Sequence, residues 1–307
     1  MTTITADLFP TSPLALRSAD PDDQARVRQF ANAQATAATT ARNGLVKMLA
    51  AARTPAERQA AVRATYQEVA AWRYELAARS TTRLGTGIAY SAARFRTPIT
   101  AATTNFDRIG PVGRLRDGAK WDAASRTYRG GTATPAYDAM VTYGKAAAMR
   151  FAADGIEGDV LQNWVDLPDG RRVAGNRIIR GEAARAIGEE LAARIAARGL
   201  DASQMETGGE PMYTATPAPA DSDTIFAAAL ETLADPDITP GAFATARYLL
   251  FQAPQTKKGS DAVNRTFTVA AGAALLGRSA PALPADIDLR CYVLGQDTAA
   301  SAYLNHH

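Results

Sequence analysis

Residues 248–265 read YLLFQAPQTKKGSDAVNR, and this stretch carries the clearest structural signal of the chain. Its first part is apolar, as expected of a buried helix, and a second periodic segment runs from Ser260 to about residue 276. Pro254 and Gly259 lie between them, and both residue types interrupt helices. The stretch therefore predicts two helices joined by a basic turn.

Helix signals recur on both sides of this stretch. Proline follows a capping residue at Asp20-Pro21, Thr54-Pro55 and Thr134-Pro135, and each of these pairs predicts a helix start. Further helices are predicted over residues 181–199, 221–234 and 240–252.

Strand signals are fewer. Two alternating runs within residues 163–179 flank Pro168-Asp169-Gly170 and predict a β-hairpin. Residues 287–294 predict a short C-terminal strand. The expected fold class is mainly α, a compact multi-helix domain with a small β-hairpin and a short C-terminal strand.

The 307 residues are expected to form one mainly helical domain over residues 21–307, preceded by a flexible N-terminal arm at residues 1–20. The start of the chain has no basic segment followed by an apolar core, so no Sec signal is predicted. No apolar run approaches the roughly 18 residues of a membrane helix. Two localisations stay open, the cytoplasm and export by a dedicated secretion system.

Two residue types are nearly absent, and this excludes several classes of active site. The histidines are His306 and His307 at the end of the chain, and the cysteine is Cys291. A Ser-His-Asp triad, a Cys-His pair, a histidine-ligated metal and a CxxC redox centre all need more of these residues, unless the C-terminus folds back. Catalysis would use carboxylates, Lys or Arg, Tyr, Ser or Thr, or a borrowed metal.

The basic turn is the candidate binding site. A helix that begins after Gly259 leaves its first backbone N–H groups without intrahelical partners, and Lys257 and Lys258 precede them, so the turn suits a phosphate. The alternative is structural: Ser260 is an ordinary N-cap, and Asp261 with Arg265 has the spacing of an ion pair. The predicted phosphate-binding residues are Lys257, Lys258, Gly259, Ser260, Asn264 and Arg265.

The same residues resemble the core of Fic/Fido proteins, whose motif has the form HPFxxGNGRxxR. Gly259 matches the first motif glycine, Arg265 matches the last arginine, and Pro254 resembles the motif proline with one extra residue in the turn. The resemblance covers residues 160–285 and implies a Fido-like core. The catalytic histidine falls on Ala253 or Pro254, so the usual transfer of AMP is not expected and the catalytic residue is unknown.

The resemblance also implies a ligand and a docking surface. The ligand would be a nucleotide or a nucleotide-sugar, with or without Mg²⁺. The hairpin at residues 163–179 resembles the flap that docks the protein target, and its candidate contacts are Trp164, Arg171 and Arg172.

Charge is distributed unevenly along the chain. Residues 71–150 hold 13 Lys or Arg against 5 Asp or Glu, whereas residues 201–256 hold 1 against 8. The leading hypothesis is a bacterial effector or toxin-like transferase that binds a nucleotide or nucleotide-sugar phosphate and modifies a host or target protein. The alternative is a non-enzymatic helical interaction protein whose basic region 71–150 binds an acidic partner or, with less support, nucleic acid.

Overall fold

The computed structural model describes residues 3–17, 20–80, 91–277 and 281–301, which form nine α-helices and six short β-strands. The helices are α1 (Pro21–Ala51), α2 (Pro55–Arg79), α3 (Pro135–Ala153), α4 (Gly181–Ala196), α5 (Pro219–Ala234), α6 (Pro240–Gln252), α7 (Ser260–Leu275), α8 (Ile287–Val293) and α9 (Gln296–Ser301). The strands are β1 (Phe106–Ile109), β2 (Lys120–Asp122), β3 (Thr127–Arg129), β4 (Val160–Asp166), β5 (Arg172–Ile179) and β6 (Met212–Ala215). The mainly helical class is confirmed.

The predicted helix starts are confirmed because their signals are local. The Asp20 carboxylate accepts a hydrogen bond from the N–H of Asp22 at 2.7 Å and caps α1. At α2, the Thr54 hydroxyl and the Glu57 carboxylate each accept a hydrogen bond from the other residue's N–H, a complete capping box. The Thr134 hydroxyl caps α3 by accepting a hydrogen bond from the N–H of Tyr137 at 3.2 Å.

Helix α7 lies at the centre of a bundle formed with α1, α2, α5 and α6. Every residue from Val263 to Ala273 is buried, and the polar side chains of Asn264 and Arg265 are hydrogen-bonded to neighbouring segments. The rings of Tyr66 and Phe267 pack edge to face with centroids 5.2 Å apart, which joins α2 to α7. The first turn of α7 is consequently held in a fixed position.

The predicted hairpin is present as β4 and β5. It is part of a four-stranded antiparallel sheet of order β1-β6-β5-β4, in which β4 is an edge strand. Strands β2 and β3 pair separately. Helices α3 and α8 pack on the sheet through one apolar cluster, and α4 packs on it through another.

The predicted C-terminal strand is wrong, because residues Ile287–Val293 form α8. The apolar residues Ile287, Leu289, Cys291 and Val293 alternate along the sequence as they would in a strand. All four are buried, since α8 packs among α3, α6 and β5. A short apolar run buried on several sides loses the periodicity that distinguishes a helix from a strand.

The segment predicted as a flexible arm is packed over the residues that the structure describes. Residues 3–17 contain two 3-10 turns, Ala6–Leu8 and Pro13–Ala15, which lie against α1 and α3 respectively. Phe9 is buried in the helical core with 3% of its surface exposed. Burial of a phenylalanine side chain stabilises a fold by about 1.5–3 kcal/mol, which favours the docked segment.

Candidate functional site

The turn between α6 and α7 has a constrained backbone. The Thr256 hydroxyl donates to the carbonyl of Lys258 at 2.8 Å. Gly259 has a φ of 85°, in the left-handed region, and a Cβ at this position would lie 2.5 Å from Cδ1 of Phe95. Both features require glycine. The geometry of the turn therefore fixes the positions of Lys257 and Lys258.

The first turn of α7 presents backbone donors. Gly259 is the N-cap, so the alternative that Ser260 caps the helix is wrong; the Ser260 hydroxyl instead donates to the carbonyl of Thr256 at 3.2 Å. The first N–H in the helical ladder is that of Val263, which donates to the carbonyl of Gly259 at 3.0 Å. The N–H groups that precede it lie at the positive end of the helix dipole and suit an anion.

A cavity of about 720 Å³ opens at this end of α7. Its walls come from the N-terminal segment, α1, β1, the α6–α7 turn and α8. Nine cationic residues line it: Arg17, Arg26, Arg73, Arg94, Arg108, Arg114, Lys257, Lys258 and Arg265. Three acidic residues line it: Asp107, Asp261 and Asp288. The cavity is therefore strongly positive.

Several of these cations already have partners within the fold. The partners are the Leu14 carbonyl for Arg17, the Asp23 carboxylate for Arg26, the rings of Phe30 and Phe95 for Arg73, the Glu206 and Gly208 carbonyls for Arg108, and the Thr103 and Thr104 carbonyls for Lys257. Arg94, Arg114 and Lys258 differ, since none of their side chains makes a hydrogen bond or an ion pair to a residue that the structure describes. These three cationic side chains are therefore free to contact a ligand.

The cations of the cavity repel one another. Burial, followed by the nearby Arg94 and Arg194, lowers the pKa of Lys257 to about 8. Burial also lowers the pKa of Lys258, with Arg94 and Arg17 as the next causes. The repulsion between these cations is unfavourable, and a bound anion would offset it.

Arg265 lies at the cavity wall, but its guanidinium group is occupied. Its Nε donates to Asp261 at 2.8 Å, and one terminal nitrogen donates to Asp288 at 2.9 Å. The other terminal nitrogen donates to the carbonyl of Pro284 at 3.1 Å. The predicted i,i+4 ion pair is present. Arg265 therefore connects α7 to the start of α8 through hydrogen bonds and an ion pair.

The other predicted phosphate contacts divide between cavity and core. Lys257, Lys258, Gly259 and Ser260 line the cavity. Asn264 does not: its amide donates to the carbonyl of Leu250 at 2.8 Å, and its side-chain oxygen accepts from the hydroxyl of Tyr66 at 3.0 Å.

The three predicted docking residues lie on the β4–β5 hairpin, and none of them lines the cavity. Trp164 is 51% exposed on the edge strand. Arg171 pairs with Asp169 at 2.6 Å, and Arg172 pairs with Asp166 at 3.2 Å. Of the three, Trp164 is the one with an exposed apolar side chain.

Sequence reasoning did not identify Arg17, Arg94, Arg114 or Asp107 as site residues. The excess of basic residues over 71–150 was a signal for two of them, because Arg94 and Arg114 belong to that region. Arg17 belongs to the N-terminal segment, and no local pattern places it beside α7. Asp107 was missed because a single aspartate in a short strand belongs to no recognisable sequence motif.

Two other site types can be assessed over the described residues. The described residues contain no group of three His, Cys, Asp or Glu side chains that could hold a metal ion. Burial raises the pKa of the Cys291 thiol to about 12, which disfavours a reactive thiolate. None of the described helices is long and apolar enough to cross a membrane.

The chain matches no protein-family model and no curated protein. Its function is therefore argued from the chemistry of the cavity.

Proposed function

We propose that the protein is a transferase that binds the phosphates of a nucleotide or nucleotide-sugar in this cavity and modifies a protein target. The observation that carries the proposal is the juxtaposition of Arg94, Arg114 and Lys258, which lack partners among the described residues, with the open N-terminus of α7. Charged and backbone donors that converge on one space form the usual phosphate site.

The size of the cavity supports a ligand larger than inorganic phosphate. Small-molecule sites usually enclose about 300–1,000 Å³, and this cavity encloses about 720 Å³. One part of the wall is cationic and another is apolar, the latter formed by Ile109, Val112, Leu115, Met140 and Leu289. An elongated ligand with phosphates at one end and an uncharged group at the other would match both parts.

The charge of the cavity supports more than one phosphate. Nine cationic residues and three acidic residues line the cavity, which leaves an excess of positive charge. A diphosphate or triphosphate would neutralise this excess more fully than a monophosphate. We therefore expect affinity to increase in the order AMP, ADP, ATP.

The transfer step and the target draw on the Fic/Fido resemblance, which stays a prediction. Its support is the succession of hairpin, α6, glycine turn and α7 along the chain. The exposed Trp164 on the edge strand is where we propose that the target docks. The origin as a bacterial effector or toxin belongs to the same proposal.

A thermal-shift titration with nucleotides and nucleotide-sugars tests the binding step. A ligand that binds only the folded state raises the melting temperature. Lys258→Ala and Arg94→Ala should each weaken binding by about 10-fold or more, since a charge-assisted hydrogen bond contributes about 1.5–3 kcal/mol. The control is Lys47→Ala, because Lys47 is exposed on α1 and does not line the cavity. Equal affinity in all three folded variants would refute the assignment.

The alternative, a helical interaction protein with a basic surface, stays a prediction. Arg73, Arg94, Arg108 and Arg114 from the basic region line the cavity, which favours a small ligand over a broad partner. The same titration separates the two. If no nucleotide changes the melting temperature, while a nucleic acid or an acidic protein binds in a salt-sensitive way, the alternative is supported.

A further inference from the structure

Asp107 has an unusual position within the cavity. It lies in β1, opposite Thr214 of β6, and its side chain is exposed to the cavity. The other two acidic residues of the lining, Asp261 and Asp288, both hold Arg265. The Asp107 carboxylate makes no ion pair and no side-chain hydrogen bond with any residue in the described part of the chain.

Four cations act on this carboxylate without contacting it. Lys257 and Lys258 belong to the α6–α7 turn, Arg114 to the 3-10 turn Gly113–Leu115, and Arg94 to the 3-10 turn Ala92–Phe95. A carboxylate that served only to balance these charges would pair with one of them. The oxygens of Asp107 are instead available to a bound molecule.

The space beside Asp107 is about large enough for one water molecule or one hydroxyl group. A niche of about 10 Å³ adjoins the cavity, and Asp107, Asn105 and Thr214 line both spaces. About 10–15 Å³ is the volume that one water molecule needs. A water or a hydroxyl group would therefore be held next to the carboxylate.

The protonation behaviour of Asp107 suits proton transfer. Although the Asp107 side chain is open to the cavity, the surrounding protein partly desolvates its carboxyl group and raises its pKa, while Lys257, Lys258 and Arg114 oppose the rise. A carboxylate with a raised pKa is a stronger base than one in water.

We infer that Asp107 is the general base of the reaction, an inference that rests on the proposed function. With a nucleoside diphosphate or triphosphate bound, the oxygen of a hydroxyl group or water forms a bond to a phosphorus atom. Its proton moves to a carboxylate oxygen of Asp107. The bond from that phosphorus to the bridging oxygen breaks, and the electron pair leaves with the departing phosphate. Lys258 and Arg94 balance the charge of that phosphate.

Calorimetric titration with ATP, combined with chromatographic measurement of ATP hydrolysis and transfer, tests the inference. Asp107→Asn keeps the shape and removes the base, so nucleotide affinity should stay equal or increase while turnover falls by about 100-fold or more. Asp107→Glu should recover at least part of the rate. In the wild-type protein the rate should fall as pH is lowered through the pKa of Asp107, and in Asp107→Asn this dependence should disappear.

The outcomes separate the two claims. A wild-type protein that binds no nucleotide refutes the proposed function itself. If nucleotides bind but turnover is absent, or is unchanged in Asp107→Asn, the role of Asp107 as base is overturned while the binding site stands. Recovery of the Asp107→Asn rate by added Mg²⁺ would also overturn it, because Asp107 would then act as a metal ligand. Melting temperatures of both variants exclude unfolding as the cause.

Discussion

Raising the pH should weaken nucleotide binding because Lys257 loses its proton within an accessible range. Burial and the neighbouring arginines lower the pKa of this lysine to about 8 in the free protein. A bound polyphosphate would favour the charged form and return the pKa toward its ordinary value of about 10.4. The free protein then deprotonates at lower pH than the complex, so binding takes up a proton and affinity falls as pH rises.

The magnitude follows from those two pKa values. Between pH 7.5 and pH 9 the affinity should fall by about 8-fold, and at pH 8 binding should take up about half a proton. The phosphate groups themselves add little, because their last pKa is about 6.

Isothermal titration calorimetry with ATP measures both quantities when it is run in two buffers of different ionisation enthalpy. Lys257→Arg carries a charge that does not titrate in this range, so its affinity should be nearly independent of pH. Lys47→Arg is the matched control and should behave as the wild type does. An affinity that is flat with pH in the wild type, or an equal pH dependence in Lys257→Arg, would refute the electrostatic account of the cavity.

Two further predictions concern the structural residues around the site. Gly259→Ala should lower the free energy of unfolding by at least about 1 kcal/mol more than Gly199→Ala, as measured by urea denaturation. Both glycines have a positive φ, but only a Cβ at residue 259 would contact Phe95. Equal losses in the two variants would show that the turn relaxes easily. Arg265→Met should cost about 3–5 kcal/mol, since it leaves the buried Asp288 without its partner, and adding Asp288→Asn should restore much of that loss. A stable Arg265→Met protein that has lost nucleotide affinity would instead assign Arg265 to phosphate binding.

The parts of the fold that could be predicted are those with local causes. Proline at the first helical position after Asp20, Thr54 or Thr134 marks a helix start, and Pro168-Asp169-Gly170 marks a hairpin, whatever the rest of the chain does. Strand β6 was missed because it consists of four residues inside a segment rich in turn residues. Its partners β1 and β5 are distant in sequence, and pairing of this kind has no local pattern.

The site was predictable in part for the same reason. Lys257, Lys258 and Gly259 are adjacent in sequence, so the helix terminus they precede could be recognised. Arg94, Arg114 and Asp107 are distant in sequence from the α6–α7 turn, and only the folded chain brings them to the same cavity. Asn264 and Arg265 had the right spacing for phosphate binding, yet in the structure they contact protein atoms.

The central claim is that the cavity beside α7 binds a polyphosphate. The most direct test is calorimetric titration of the wild-type protein with AMP, ADP and ATP at physiological salt, near pH 7.5. The account predicts saturable binding with one site per chain, affinity that increases with the number of phosphates, and a clear loss in Lys258→Ala. No heat of binding with any of the three nucleotides at millimolar concentration would contradict it.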